Sequence, residues 1–195
     1  MAIGSPIVLA VGFGDGTAIT AAARTSMTAG ALATSSRITL PPNTLRAKDV
    51  LSLRASGRIS SAVTTPGTAR FDLAFGTSLG TAVMDSLAIL LDPAIVHTNA
   101  GWILNMEGTV RAEGNAANIH WSGTWICEDI LGVAAGAVPR AVAVAMLPWA
   151  IPPAIGANFD NTVSQAVDLN FTQTVATGSC QLHQYVLTLQ TATGF

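Results

Sequence analysis

Few residues in this sequence combine a reactive side chain with the spacing that a known chemistry requires. Residues 12–16 read GFGDG, with three glycines in five positions. They lack the third glycine of a dinucleotide fingerprint at its proper spacing and the Gly-Lys-Ser/Thr ending of a P-loop, and no helical pattern follows them. The segment therefore predicts a turn between two strands.

The three histidines, His97, His120 and His183, could meet in space, but they lack the short His or carboxylate spacings that metal sites use. We interpret them as surface or hydrogen-bonding residues. His97 is predicted in a turn, His120 on a polar strand face, and His183 on the same strand face as Tyr185. No metal ligand is predicted.

A hydrolytic site would need a nucleophile with a base, or two carboxylates across a cleft. The sequence has no GxSxG motif, and its acids stand near strand ends, as in Glu107, Glu113 and Glu128–Asp129. We interpret these acids as solvated edge charges or as partners of arginine. The sequence thus predicts a protein that is not an enzyme, without catalytic, cofactor-binding or metal-binding residues and without a cofactor.

The cysteines and tryptophans are also predicted to be structural. Cys127 and Cys180 could form at most one disulfide, and in the absence of a secretion signal we expect free buried thiols. Trp121 and Trp125 share a strand face with Cys127, so we expect them in the core rather than stacked on a sugar.

The composition favours a subunit that is covered by neighbours. The 195 residues are 50% hydrophobic and only 10% charged, with Lys48 as the single lysine; about 25% charged residues is usual. So little charge gives weak protection against self-association. The net charge of -2 and the absence of any basic run argue against nucleic acid as a partner.

Two segments could be mistaken for membrane or export signals. The N-terminus has no basic residue before its short apolar run, unlike a signal peptide. The apolar stretch 133–155 contains four prolines and Arg140, which disfavours a transmembrane helix. We interpret 133–155 as buried strand and extended linker, and predict a soluble chain with no membrane partner.

Alternation of apolar and polar residues recurs along the chain and predicts strands. In 64–78, TTPGTARFDLAFGTS, Phe71, Leu73 and Phe75 point one way, and a Pro-Gly turn precedes them. The same period gives a predicted core of Leu53, Ile59, Phe71, Leu73, Phe75, Met106, Val110, Ile119, Trp121 and Trp125.

Short strands between Gly, Pro and Asn turns, without a helical period, predict an all-β, single-domain β-sandwich. We expect it to be jelly-roll-like, with about eight to ten strands. Residues 1–36 are predicted to be an N-terminal arm, or a first strand plus linker, and 37–195 the sandwich domain. Residues 6–13 fit either alternative, because a short apolar run is compatible with both.

Two stretches resemble structural proteins of tailed bacteriophage virions. Residues 40–76 read LPPNTLRAKDVLSLRASGRISSAVTTPGTARFDLAFG, and residues 97–114 read HTNAGWILNMEGTVRAEG. The resemblance is one of turns and strands, without catalytic residues. It implies a β-sandwich subunit that decorates or cements a capsid or belongs to a tail. It also implies the major capsid protein as a partner, a homotrimer, and a location in the virion after assembly in the host cytoplasm.

Three hypotheses follow: a capsid decoration or cement protein, a tail or baseplate component that includes a receptor-binding head, and a carbohydrate-binding or hydrolytic module. Assembly by burial needs no active site, which favours the first two hypotheses over the third. The decoration or cement protein is our leading hypothesis, although the sequence does not separate it from a tail component. The N-terminal segment is the predicted contact with the partner, since small side chains and an extended backbone suit addition to a sheet edge. Its predicted partner-binding residues are Ile7, Val8, Leu9, Val11 and Phe13.

Overall fold

Two antiparallel β-sheets pack against each other in the computed structural model of this chain. The structure describes residues 6–29, 37–62, 65–76, 79–93, 95–128, 144–151 and 153–192. Within these ranges the only helical element is a short 3-10 turn, Gly114–Ala116, and no helix is long and apolar enough to span a membrane. The predicted all-β sandwich is confirmed.

The larger sheet has seven strands, of which six follow one another in the order β1-β13-β4-β8-β9-β10, while β11 pairs with β9. All its pairs are antiparallel. Its strands are β1 (Ile7–Phe13), β4 (Val50–Ser61), β8 (His97–Ala112), β9 (Asn118–Cys127), β10 (Val144–Leu147), β11 (Ala154–Ile155) and β13 (Ser179–Gln190).

The smaller sheet has six strands in the order β2-β12-β5-β6; β3 also pairs with β12, and β7 also pairs with β5. Again every pair is antiparallel. Its strands are β2 (Arg24–Ser26), β3 (Ile38–Leu40), β5 (Thr68–Gly76), β6 (Thr81–Asp85), β7 (Ile89–Leu90) and β12 (Gln165–Gln173).

Eight of these strands have five or more residues, which agrees with the predicted eight to ten. The five shorter ones, of two to four residues, lie at sheet edges. The chain alternates between the sheets: β1 belongs to the larger, β2 and β3 to the smaller, β4 to the larger and β5 to the smaller. The jelly-roll connectivity stays a prediction.

The core lies between the sheets and consists of the residues that the alternation selects. All ten predicted core residues are buried. Phe71 is at the centre: its ring centroid lies 5.1 Å from that of Trp102, 5.4 Å from Trp125 and 5.1 Å from Phe171. Tilted rings at these distances are favourable beyond their burial. Because Phe71 and Phe171 belong to the smaller sheet and the tryptophans to the larger, this cluster joins the two layers.

The N-terminal segment is part of both sheets. Ile7–Phe13 pairs with β13 at one edge of the larger sheet, which is the first-strand alternative for this segment. Arg24–Ser26 pairs with β12 in the smaller sheet. Between them GFGDG ends β1 and turns, with Gly14 at φ 110°, and no helix follows. Residues 1–5 and 30–36 of the predicted arm lie outside the described residues, as do 133–143 and 152 of the apolar stretch.

Candidate functional site

The outer face of the larger sheet carries an apolar row that crosses the strands. Strand registers align Phe13, Gln184, Ser56, Ile103, Ile126 and Val144 from β1 to β10. Four of these six side chains are apolar, although this face points away from the core. Ile126 and Val144 are exposed, and Phe13 is 65% exposed.

A second row lies beside it and is apolar at both ends. It runs through Val11, Val186, Arg54, Asn105, Thr124 and Met146. Met146 is 67% exposed. The middle of this row forms a shallow depression of about 800 Å³, bordered by Arg54 and Glu107. We call the two rows together the outer stripe: an apolar surface with a polar centre.

Large exposed apolar side chains concentrate on this sheet. Of fourteen such residues in the described part of the chain, eight belong to its strands. Clusters of exposed apolar side chains mark interaction sites in soluble proteins. The eight are Ile7, Val8, Val11, Phe13, Ile126, Val144, Met146 and Ile155.

Of the predicted partner-binding residues, Val11 and Phe13 begin the two rows of the outer stripe, whereas Ile7 pairs with the buried Leu189 and does not share their face. All five predicted residues belong to β1, whose other side has no strand partner among the described residues. Ile7, Val8, Val11 and Phe13 are exposed, whereas Leu9 is partly buried against the core at a β-bulge. The strand contains no charge and no proline. Such an edge offers unpaired backbone groups to another strand.

A smaller hollow of about 550 Å³ lies beside the first row of the outer stripe and shares Ser56, Ile103 and Ile126 with it. Gly101 lacks a side chain there, and a Cβ on it would meet Glu128 Oε1 at 3.1 Å. Ile103 and Ile126 form apolar walls, and Arg58 and His183 line the rim. This hollow mixes one carboxylate with two basic groups but holds no pair of carboxylates or nucleophile–base hydrogen bond.

His183 does not lie on the strand face that the sequence predicted for it. A β-bulge between Leu182 and Gln184 turns His183 to the outer face, whereas Tyr185 stays in the core. His183 Nδ1 lies 3.1 Å from Asp15 Oδ1, and its Nε2 has no hydrogen-bond partner. The signal was present in the sequence: two polar residues in succession between Leu182 and Tyr185 break the period of two.

The other histidines do not join His183. His97 begins β8 instead of lying in the predicted turn, and its Nε2 is 3.4 Å from Asp92 Oδ2. His120 is exposed on the outer face, as predicted, and pairs with Thr109 near the far end of β8. Within the described ranges no group of three or more His, Cys, Asp or Glu could hold a metal ion.

The predicted acids have separate surroundings. Glu107 is exposed and accepts a 3.4 Å hydrogen bond from Ser52 Oγ. Glu113 accepts one of 2.7 Å from the Ala47 backbone N–H. Glu128 lies over Gly101, and Asp129 is outside the described residues. Glu107 and Glu113 act as surface hydrogen-bond acceptors, and the three described acids do not line one cleft.

The thiols and the indoles are enclosed. Cys127 and Cys180 are buried and form no disulfide, as predicted. Burial raises the pKa of the Cys180 thiol, so a reactive thiolate is disfavoured. Trp121 and Trp125 are buried, as predicted; Trp102 is buried too, and Trp149 is partly buried. Because Trp102, Trp121 and Trp125 are buried, their ring faces are closed to a sugar that would stack on them.

No protein-family model matches this sequence, and no curated protein matches it either.

Proposed function

We propose that this protein is a non-enzymatic structural protein of a virion, a decoration or cement protein that attaches to a capsid shell through the outer stripe. The observation that carries the proposal is the exposed apolar surface of the larger sheet. Exposed apolar surface of this kind marks interaction sites, and the polar groups between the two apolar ends can form hydrogen bonds with a partner.

The fold supports this proposal. In the larger sheet, four strands remain when β9, β10 and β11 are set aside as an addition: β1, β13, β4 and β8. The smaller sheet also has four when β2 with β3, and β6 with β7, are each counted as one edge strand. Along the chain these eight strands change sheet at every step except from β5 to β6–β7, which both belong to the smaller sheet. We propose that this connectivity is a jelly roll, an architecture that viral capsid proteins share with lectin domains and cupins.

The sequence resemblance of residues 40–76 and 97–114 to phage virion proteins favours the shell of a tailed bacteriophage. In this proposal the major capsid protein is the partner, and the protein is located in the virion. A tail or baseplate position is the second candidate, because the same stripe could contact another structural protein. A sugar-binding role through tryptophan finds little support, since three of the four indoles are buried.

Attachment is tested with two matched double variants. Val11→Ser with Val144→Ser changes the stripe at side chains that are 48% and 44% exposed. The control, Val163→Ser with Leu90→Ser, changes side chains of 49% and 44% exposure that lie outside the larger sheet. Each tagged protein is supplied to cells that produce particles, and purified particles are assayed for it.

We expect the wild type and the control to copurify with particles and the stripe variant to be lost. Cryo-EM then distinguishes shell from tail. A wild-type protein that never copurifies with particles would refute the virion role. A stripe variant that attaches as well as the control would refute the stripe as the contact surface.

The homotrimer is part of the same proposal and has its own test. Light scattering of the purified protein should give about three times the chain mass of 19.9 kDa. A stable monomer in solution and single copies on imaged particles would together exclude it.

A further inference from the structure

The two edge strands of the larger sheet carry the apolar ends of the outer stripe. Val11 and Phe13, of β1, are 48% and 65% exposed. Val144 and Met146, of β10 at the opposite edge, are 44% and 67% exposed. Strands in the middle of the sheet have a neighbour on both sides, whereas β1 and β10 each have one on one side only among the described residues. The exposure of these four side chains follows from that edge position.

The directions of the two edge strands are complementary. Six strands follow one another from β1 to β10, and every neighbouring pair is antiparallel. Because the number of strands is even, β1 and β10 run in opposite directions. A second copy placed beside the first in the same orientation therefore brings its β1 antiparallel to β10. This placement continues the sheet without a change of pattern.

The backbone of β1 directs its free hydrogen-bonding groups outward at the two residues of the stripe. The Gly14 N–H donates to the His183 carbonyl of β13 at 3.0 Å. In an antiparallel pair the hydrogen-bonding direction alternates from one residue to the next. The N–H and C=O of Val11 and Phe13 therefore point away from β13, to the open side of the strand.

The backbone of β10 does the same at its own stripe residues. The Glu128 N–H of the neighbouring strand end donates to the Gly101 carbonyl of β8 at 3.1 Å. By the same alternation, Ile126 turns its N–H and C=O to β8. Its partner on β10, Val144, then points its groups away from β9, and Met146 follows two residues later.

The side chains of the two edges also match in register. If the rows of the stripe continue into a second copy, Val144 lies opposite Phe13 and Met146 lies opposite Val11. Pairs of an aromatic and a β-branched residue stabilise neighbouring strands. Neither strand contains a charged residue or a proline, the devices that commonly block edge pairing. The paired segment has four residues in each strand, because a β-bulge precedes Ala10 and β10 ends at Leu147.

We propose that β1 of one copy pairs with β10 of a second copy, so that the larger sheets of neighbouring copies form one continuous antiparallel sheet. The inference rests on the homotrimer of the proposed function and names its contact. A head-to-tail contact repeated by rotation closes into a ring. The apolar ends of two stripes then meet, with Ile126, Val144 and Phe13 of the next copy side by side, on the face that we propose contacts the shell.

The test is disulfide cross-linking of the whole protein. Val11→Cys with Met146→Cys places thiols opposite each other across the proposed contact, where a Cα separation of about 4.5 to 5.5 Å suits a disulfide. Within one chain the two positions are five strand spacings apart, about 24 Å, so a bond between them must join two copies. Cys127 and Cys180 are buried and do not compete.

After mild oxidation, we expect covalent trimers as the main product on gels without reductant. The matched control, Leu90→Cys with Val163→Cys, has exposed fractions of 44% and 49% outside the larger sheet and should stay monomeric on the gel. Val11→Cys alone should stay monomeric too, whereas a two-fold contact between two β1 strands would cross-link it. Equal cross-linking of the double variant and the control, or cross-linking of Val11→Cys alone, would overturn the proposal.

A second set of variants uses the native oligomer as the readout and needs no oxidation. Val11→Lys charges the edge and should lower the mass in light scattering to that of one chain, 19.9 kDa. Adding Met146→Glu should restore the larger mass, because the two charges face each other only across copies. Adding Met146→Lys should not restore it. Equal masses for the two double variants would contradict the contact.

Failure of this contact and failure of the virion role give different results. Wild-type trimers without selective cross-linking or charge rescue would refute the edge contact and leave the virion role in place. Cross-linked trimers that do not copurify with particles would refute the virion role and leave the contact in place. A wild-type protein that is monomeric in solution and on particles would overturn both the trimer and its contact.

Discussion

The two sheets treat their outer faces in opposite ways. The larger sheet exposes apolar side chains at both ends of its outer stripe, from Phe13 to Met146. The smaller sheet buries charged and amide groups, with Asp72, Asp168 and Asn170 all inaccessible. Each arrangement is unusual in itself, since outer faces of antiparallel sheets are normally polar and solvated.

The difference depends on what covers each face. On the smaller sheet, Arg24 and Ser26 of the chain's own N-terminal segment contact the buried carboxylates. On the larger sheet, the described residues provide no comparable cover over the stripe. Buried charge is tolerated on the smaller sheet because the chain itself provides the hydrogen-bonding partners. The apolar surface of the larger sheet stays exposed, and we propose that another protein covers it.

The largest expected effect on stability comes from Phe71, in the aromatic cluster that joins the two sheets. Phe71→Ala should lower the free energy of unfolding by about 3 to 5 kcal/mol, because it empties a site filled against Trp102, Trp125 and Phe171. Urea denaturation measures the loss. Phe13→Ala, on the stripe, should change stability by less than about 1 kcal/mol. Equal losses at both positions would contradict the assigned faces.

The second largest effect is expected from Arg24, which covers the buried Asp72 on the outer face of the smaller sheet. Arg24→Ala leaves Asp72 buried without its cation, and we expect a loss of about 3 kcal/mol in chemical denaturation. Adding Asp72→Asn should recover part of that loss, since it removes the stranded charge. Arg54→Ala, in the centre of the stripe, should stay within about 0.5 kcal/mol of wild type. An Arg24 variant as stable as the Arg54 variant would show that the cover contributes nothing.

A smaller effect concerns the core that the two faces share. Burial raises the pKa of the Cys180 thiol and of the Tyr185 phenol, the latter also through the charge of Asp168. In the unfolded chain these groups ionise at their ordinary pKa values of 9.0 and 10.0, whereas in the fold they stay neutral to higher pH. Their burial therefore contributes fully to the free energy of unfolding below those pKa values, and this contribution is lost as pH rises above them. The urea concentration at the unfolding midpoint should therefore decrease as the pH is raised from 8 to 11. Rapid labelling of native Cys180 by a thiol reagent at pH 8 would disprove its burial.

The smallest effect on stability should come from the stripe itself. Met146→Ser removes an exposed apolar side chain, so we expect less than about 0.5 kcal/mol of change in thermal or chemical unfolding. The same variant should remain soluble at higher concentration than wild type, because less apolar surface is exposed. A loss above about 1 kcal/mol would place Met146 in the core instead.

The sequence predicted the inner faces well and the outer faces poorly. Period-two alternation selected Phe71, Leu73 and Phe75 because inner side chains of a strand must all be apolar. It could not show that Asp72, in the same strand, is as deeply buried as they are. Alternation distinguishes the two sides of a strand, but what lies over the second side depends on a residue as distant as Arg24.

Local irregularities explain the remaining errors. The bulge at Leu182/Gln184 shifts His183 to the outer face, and a strict period of two cannot follow an inserted residue. The hollow near His183 depends on Gly101 and on the position of Glu128 across the sheet, which no local pattern specifies. The exposed residues of β1 were selected for their apolar character, although the same run could equally have been a core strand.

The pairing of β1 with β13 also determines how the domain bears mechanical load. Ile7 lies opposite Leu189, so the outermost residues of these two strands meet at one end of the sheet. Tension applied between residues 7 and 189 acts perpendicular to the strands, in the unzipping geometry, and breaks their hydrogen bonds one after another. Tension between residues 13 and 189 loads the same bonds lengthwise and all at once. Force spectroscopy should therefore find the first geometry weak and the second strong.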